Sequence, residues 1–323
     1  MSATYRVIRW VYIGIPVPLW LWSAVAGSRP GGPGVSVVGA LGGGGFPPVP
    51  VMSRLRAGKS GARGALASYD PGMDLRIATI AGRPAVKSRF VDEETEPWPA
   101  FMNEDPIGWL YFSDVRIAHP EYGLIGYDAA APGRAVARAF CVPFAWDGDP
   151  AAGELPADGW DGVIWRSARD RQTGRQPNLV AALEITVAAG LQGTGLSATM
   201  LAAMRDNVRR LGFTDLVAPV RPNRKHLVPD MPIGEYAALV REDGMPRDAW
   251  LRVHVRAGGR IAGTCQRAMV IPGTLAEWRS WTGLPFGESG PAAVPGALVP
   301  VQCSVEHDYA VYVEPAVWVH HRL

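Results

Sequence analysis

The sequence is poor in cysteine, carries almost no net charge and lacks an uninterrupted apolar segment of membrane-spanning length. Its three cysteines among 323 residues, Cys141, Cys265 and Cys303, are too few and too far apart for a disulfide framework or a metal-ligand cluster. They indicate reduced thiols in a cytoplasmic protein. Lysine and arginine together number 32, against 30 aspartate and glutamate residues, and this balance argues against a nucleic-acid partner.

The longest apolar segment, Trp10 to Gly27, is interrupted by Pro16 and Pro18. A proline inside a helix costs roughly 3 kcal/mol, so we expect no stable membrane insertion. Basic residues precede this segment and small residues end it, which leaves a secretory signal peptide as one interpretation.

The first 72 residues differ in composition from the rest of the chain. Glycine and proline dominate residues 30–50, and such a segment buries too little apolar surface to offset its backbone entropy. We therefore expect residues 1–72 to form a flexible extension and residues 73–323 to form the globular domain. Three origins of the extension stay open: a start-site artefact with Met52 or Met73 as the true first residue, a disordered tail, or a signal or anchor.

The middle of the chain predicts a strand–turn–helix–strand unit. The apolar run Leu179–Val187 is typical of a central strand, and a glycine-containing turn follows it. From Leu196 to Leu211 apolar residues recur with helical spacing, and Leu216–Val220 is a further strand. Upstream, we predict a hairpin of strands 121–128 and 135–146, followed by a loop over 147–162.

The C-terminal hundred residues continue the fold. Thr274 and Glu277 have the spacing of a capping box, which predicts a helix through Trp281 that is closed by Gly283. The other predicted elements in this region are a helix over 232–242 and strands over 251–255, 267–271, 297–305 and 309–320.

The turn after strand 179–187 is the most informative motif, Gln192-Gly193-Thr194-Gly195-Leu196-Ser197. Glycines let a ligand approach the backbone, and the following helix directs its unpaired N–H groups and positive dipole end toward the turn. This combination predicts an anion site for a di- or triphosphate. A P-loop would need a lysine, and a dinucleotide-binding turn would need a third glycine, and both are absent.

The motif resembles the signature of the GNAT superfamily of acyl-CoA-dependent N-acetyltransferases, Gln/Arg-x-x-Gly-x-Gly/Ala, with Ser197 in place of the final small residue. Asn223, just past the next strand, is a second matching feature. The resemblance covers residues 122–223. It implies an α/β (α+β) fold with a mixed, largely antiparallel central sheet flanked by helices, here with an extended C-terminal part.

The resemblance also implies where acetyl-CoA or another acyl-CoA would bind. The backbone amides of the glycine turn would hold its pyrophosphate, and the free edge of strand 185–187 would pair with its pantetheine. Asn223 would bond the cofactor or cap the next helix. The implied cofactor-binding residues are Ile185, Thr186, Val187, Gln192, Gly193, Thr194, Gly195, Leu196, Ser197 and Asn223.

Acylation of an amine needs a base for the ammonium proton and an acid for the leaving thiolate. Glu184, on the strand beside the cofactor, is the candidate base, and Tyr236, on the next predicted helix, is the candidate acid. A strand glutamate that pairs with arginine is the alternative for Glu184. His226 and His254 are weaker candidates, and no spacing of ligand-type residues predicts a metal site.

Arg221, Arg224 and Lys225 form a basic cluster after the predicted strand Leu216–Val220. We interpret it as a solvated charged face, with binding of the CoA 3′-phosphate or of an acidic acceptor as the alternative.

The function implied is an N-acyltransferase, an acetyltransferase in the first instance, which moves an acyl group from CoA to a small-molecule or peptide amine by direct attack. The alternative is a GNAT-like module that binds acyl-CoA without turnover, as a sensor or partner domain. A homodimer is compatible with either function.

Overall fold

The computed structural model describes residues 73–82 and 98–323. The predicted extension over residues 1–72 lies outside this part of the chain. Within the described residues, no helix is both long and apolar enough to cross a membrane. Cys141, Cys265 and Cys303 are free and buried.

One sheet of nine strands organises the described residues, in the order β1-β2-β3-β4-β5-β9-β8-β7, with β6 paired to the other edge of β9. Its strands are β1 (Leu75–Thr79), β2 (Gly123–Asp128), β3 (Ala135–Phe144), β4 (Leu179–Val187), β5 (Asp215–Val220), β6 (Arg260–Gly273), β7 (Gly290–Ala292), β8 (Val301–Ser304) and β9 (Tyr309–Arg322).

Among these strands β4 and β5 form the one parallel pair, and every other described pair is antiparallel. A parallel connection needs a crossover, which the helix between β4 and β5 supplies. The mixed, largely antiparallel sheet flanked by helices is therefore confirmed.

Helices cover both faces of the sheet. They are α1 (Ser113–Ala118), which follows a π-helical turn at Gly108–Phe112, α2 (Gly159–Thr173), α3 (Leu196–Arg210), α4 (Ile233–Ala238), α5 (Ala249–Arg256) and α6 (Leu275–Thr282). Three-residue 3₁₀ turns lie at Pro120–Tyr122, Ala189–Leu191 and Lys225–Leu227, and a five-residue one at Ala100–Glu104.

Helices α2 and α3 pack on opposite faces because side chains alternate along a strand. On β3, Val142 belongs to the cluster that holds Val163 and Ile164 of α2. Its neighbour Cys141 belongs to the cluster that holds Met200 and Met204 of α3. Strands β3 and β4 are therefore buried on both sides, as the apolar composition of Leu179–Val187 predicts.

The predicted elements around the glycine turn are confirmed. The structure has β4 at Leu179–Val187 and α3 at Leu196–Arg210, with the hairpin β2–β3 upstream. The capping box at Thr274 is formed, and α6 ends at Gly283 in a left-handed conformation.

Two predictions in other regions were wrong. Residues 251–255, predicted as a strand, lie in helix α5, because Asp248 accepts bonds from the amides of Trp250 and Leu251 and starts a helix there. Apolar residues alternate in Leu251–Val255 with a strand-like period, and this local pattern concealed the cap at Asp248.

The predicted loop over 147–162 is shorter in the structure, because α2 begins at Gly159.

The C-terminal part extends the sheet through β9, the strand with the most partners. Along one edge, β9 pairs with β6 over residues 310–320. Along the other, it pairs with β5 through residues 317–322 and with β8 through residues 309–311. Predicted strands 267–271 and 309–320 are therefore parts of the longer β6 and β9, whereas 297–305 shortens to β8.

Candidate active site

Strands β4 and β5 separate soon after they begin. They pair only at Val180 with Leu216 and at Ala181 with Val217. Strand β4 then continues to Val187, and in the described part of the chain no strand covers its β5-facing edge beyond Ala181. An uncovered strand edge offers N–H and C=O groups to an extended ligand. The predicted residues Ile185, Thr186 and Val187 lie on this open segment.

A β-bulge lies in β4 at the start of the opening. Phe140 of β3 pairs with Glu184, whereas the next residue, Cys141, pairs with Ala182, so Leu183 is the extra residue. The indole N–H of Trp160, on α2, donates to the carbonyl oxygen of Leu183 at 3.1 Å. A bulge redirects backbone groups, and here it does so beside the opening.

The glycine turn lies between the end of β4 and α3. Gly193 has φ 79° and Gly195 has φ 90°, values that favour glycine over all other residues. A Cβ at either position would meet no described atom within 4 Å, so the outer side of the turn is open. Gly195 is the N-cap of α3.

The turn carries a run of unsatisfied backbone donors. Among the described residues, no group accepts a bond from the backbone N–H of residues 193 to 197. The N–H of Gln192 is already bonded to the Ala189 carbonyl at 3.3 Å. Helix α3 adds the positive end of its dipole at the same place. Five free amides at the start of a 15-residue helix form a cradle for an anion.

The side chains of the turn add little to this cradle. Thr194 donates its hydroxyl to Leu191, and the Gln192 amide reaches the Val187 carbonyl at 3.4 Å. Leu196 is buried in the core, and Ser197 is half-buried. The donors of the turn are therefore backbone groups.

Glu184 is buried on β4. Its Oε1 atom accepts a bond from Nε of Arg138 at 2.5 Å and one from the hydroxyl of Thr186 at 2.6 Å. Arg138 lies on β3, opposite Thr186. The arginine pairing that was the alternative for Glu184 is therefore present, and it keeps the carboxylate beside the bulge.

Tyr236 is buried on α4, and its hydroxyl donates to Asp248 at 2.9 Å. Burial, followed by the bond to Asp248, raises the pKa of Tyr236. Asn223 is exposed after β5, and the following 3₁₀ turn has Arg224 at its N-cap and no side-chain capping bond. The capping role considered for Asn223 is therefore absent.

The basic cluster is not a solvated face. Arg221 is bonded to Glu314 at 2.9 Å. Lys225 is fully buried and donates to the carbonyls of Val228, Pro229 and Leu298. Only Arg224 of the three predicted residues is exposed. His254 is also buried, and its Nδ1 lies 2.9 Å from Nε2 of His321.

Sequence reasoning missed a group of buried carboxyl side chains. Asp105 precedes the π-helical turn, Asp161 lies in the first turn of α2, and Glu314 lies on β9. Burial is the main cause that raises the pKa of Asp105 to about 6 and that of Asp161 to about 9. No spacing motif links these residues, because only the fold brings them together.

No family model matches the chain. The arginine N-acetyltransferase AvaD of Aspergillus versicolor is 29% identical over 288 residues, which cover 79% of this chain and 95% of that protein. The aligned region extends far beyond the glycine turn, and the turn, the separated parallel strands and the helix behind them are all formed in the structure. The chain is thus similar over most of its length to an N-acetyltransferase, as the resemblance of its glycine turn to the GNAT superfamily predicts.

Some solved structures also align with this chain. The loading GNATL domain of CurA from Lyngbya majuscula has 14% identity, a TM-score of 0.42, and coverage of 77% of this chain and 97% of that one. The GNAT-like decarboxylase GphF in complex with isobutyryl-CoA has 16% identity, a TM-score of 0.44, and coverage of 77% and 98%. These similarities are too low to carry part of the assignment.

Proposed function

We propose that this protein is a GNAT-type enzyme that transfers the acetyl group of acetyl-CoA to an amine of arginine or of a closely related cationic, amino-acid-sized acceptor. The observation that carries the proposal is the opening between β4 and β5, which ends at five free backbone amides. The alignment with an arginine N-acetyltransferase over most of both chains supports the choice of acceptor.

The residues present fit a CoA thioester. The amides of residues 193–197 match the oxygens of a pyrophosphate, and the open space outside Gly193 and Gly195 lets those oxygens approach. The uncovered edge of Ile185–Val187 matches the amides of pantetheine, which can add to a strand edge as a peptide does. Asn223, exposed beyond β5, is a further candidate donor to the cofactor.

We propose direct transfer without a covalent enzyme intermediate. The acceptor nitrogen attacks the thioester carbonyl carbon, a C–N bond forms, and the C–S bond breaks. Backbone N–H groups beside the Leu183 bulge would stabilise the negative charge that develops on the carbonyl oxygen. Holding both reactants in one opening supplies much of the acceleration.

Two protons must move in this reaction. Glu184, held beside the bulge by Arg138, is our candidate to take the proton of the attacking amine, directly or through a water molecule. Tyr236 is our candidate to donate a proton to the leaving sulfur. Its hydroxyl keeps its proton at neutral pH because burial raises its pKa.

The first test measures CoA binding. Gly195→Ala would place a methyl group against the pyrophosphate and would strain a residue at φ 90°. Gly212→Ala is the matched control, because Gly212 has φ 94°, is equally open and lies beyond the other end of α3. We expect calorimetry to show about 10-fold weaker CoA binding for Gly195→Ala, through one or two lost phosphate bonds, and unchanged binding for Gly212→Ala.

The second test measures thiol release from acetyl-CoA with arginine, agmatine, lysine and neutral amines as acceptors. We expect turnover with arginine. If CoA binds but none of the amines is acetylated, the protein is an acyl-CoA-binding module and not an acetyltransferase. Absence of CoA binding by the unmodified protein would overturn both functions.

A further inference from the structure

Two buried carboxyl groups beside the opening have incomplete hydrogen bonding. Asp105 is 2% exposed and Asp161 is 7% exposed. One oxygen of each is used within the fold, since Oδ2 of Asp105 accepts the Gly108 amide at 2.5 Å and Oδ2 of Asp161 accepts the Val270 amide at 3.0 Å. In the part of the chain that the structure describes, no N–H or O–H group donates to the Oδ1 atom of either residue.

The two carboxyl groups lie close enough for the charge of Asp105 to act on Asp161. Two buried like charges disfavour each other, so one of the two groups holds a proton more readily than an isolated carboxyl group would. The pKa of Asp161 is raised to about 9 in total. Burial is the largest cause, followed by the charge of Asp105, and Asp158 and Glu314 add smaller increases. Near neutral pH the pair therefore carries one proton and one negative charge.

The surrounding cations are committed to other carboxylates. Arg221 bonds Glu314, which also accepts the hydroxyl of Tyr312 at 2.7 Å. Arg166 bonds Asp158 at 2.7 Å. Among residues 73–82 and 98–323, no cationic side chain is bonded to Asp105 or Asp161. A buried negative charge without a bonded cation is costly unless something else supplies the positive charge.

The pair borders the site of acyl transfer. Trp160, the residue before Asp161, donates to the carbonyl of Leu183 at the β4 bulge. Arg221 directly follows β5 and is bonded to Glu314. The charge of Glu314 acts on Asp161, so Glu314 lies near the carboxyl pair. The carboxyl pair therefore lies behind the opening between β4 and β5, on the side of α2.

We propose that Asp105 and Asp161 bind the guanidinium group of the acceptor through their two Oδ1 atoms, and that this cation replaces the proton held by the pair. The inference rests on the proposed function. A planar guanidinium has five N–H donors and can bridge two carboxylates, which a single ammonium does less well. A nitrogen held as a cation has no lone pair for attack, so the pair binds the end of the acceptor that is not acylated.

The kinetic test compares arginine with citrulline, which has the same shape and a neutral ureido group. We expect the unmodified enzyme to prefer arginine strongly. In Asp161→Asn and in Asp105→Asn we expect the KM for arginine to rise about 10- to 100-fold, through loss of a charge-assisted bond, and the KM for acetyl-CoA to stay unchanged. Asp114→Asn is the control, because that aspartate is exposed and pairs with Arg171 on the surface.

The second readout is the proton that leaves. Calorimetric titration of arginine into the CoA-loaded protein, in buffers that differ in ionisation enthalpy, should show release of about one proton at neutral pH. In Asp161→Asn this release should disappear. Since this measurement needs no turnover, it separates failure of the carboxyl pair from failure of the proposed acetyl transfer.

Either of two results would overturn the inference: equal use of arginine and citrulline by the unmodified enzyme, or unchanged arginine affinity in both folded aspartate variants. Thermal unfolding decides whether a variant is folded. Removing a buried, incompletely bonded carboxyl group should not lower the melting temperature, so at least one of the two substitutions should give a folded protein.

Discussion

Arg138 donates from Nε to the carboxylate of Glu184 at 2.5 Å, across the antiparallel strands β3 and β4. Both side chains are largely buried, at 19% and 6% exposure. The pair has two consequences that can be measured separately, because a buried ion pair contributes to stability and a carboxylate beside the bulge can act as a base.

Glu184→Gln should lower both stability and activity. Breaking a buried ion pair removes the carboxylate that compensates the charge of Arg138, which costs about 3–5 kcal/mol. Loss of the base should reduce kcat about 100-fold. Chemical denaturation and initial rates measure the two effects.

The double variant Arg138→Gln/Glu184→Gln separates the two roles. It removes both charges, so we expect it to regain stability and to remain as slow as Glu184→Gln. Recovery of kcat together with stability would assign the pair a purely structural role and would remove Glu184 as the base.

Tyr236→Phe tests the proposed acid. The substitution deletes the bond to Asp248, a hydrogen bond to a charged group that contributes about 1.5–3 kcal/mol. As the proton donor to sulfur, Tyr236 should also contribute about 100-fold to kcat. Asp248→Asn is the control, because it weakens the same start of α5 and keeps the phenol. A Tyr236→Phe enzyme that is less stable but equally fast would contradict the acid role.

The buried pair His254 and His321 predicts acid sensitivity. Burial lowers the pKa of His254 to about 3 and that of His321 to about 4. An unfolded histidine binds a proton below about pH 6.5. Between the unfolded pKa of about 6.5 and the folded pKa values of about 3 to 4, the unfolded chain therefore binds more protons than the folded chain. Stability that is present at neutral pH is lost as the pH falls through this window.

We expect this loss to approach about 1.4 kcal/mol per pH unit for each histidine, as measured by denaturation between neutral pH and about pH 4. His254→Gln should lower the slope. His307→Gln, at an exposed histidine, should leave it unchanged. Equal slopes in all three proteins would show that the histidine pair does not control acid sensitivity.

The region 179–220 could be predicted from sequence because its signals are local. A strand buried on both faces, glycines at positive φ and an apolar helical period each depend on a few neighbouring residues. Where a local pattern was ambiguous, prediction failed. Leu251–Val255 alternates like a strand, yet the Asp248 cap and the packing of Leu251 and His254 make it helical.

The roles of charged side chains were harder to predict, because they depend on partners distant in the sequence. Lys225 appeared as part of a surface basic cluster, whereas three carbonyls, one of them Leu298 in the C-terminal part, surround its ammonium group. Arg221 is likewise neutralised by Glu314, 93 residues away. A single sequence without aligned homologues contains no signal for such pairs.

The sequence by itself determined that a glycine turn with free backbone amides would form at residues 192–197, because glycine conformations and a helix start are encoded within a few adjacent residues. Only the tertiary structure decided that β4 and β5 separate above this turn and that Asp105, Asp161 and Glu314 meet behind them. Strand separation and buried charge depend on packing among elements far apart in the chain, and local sequence does not specify that packing.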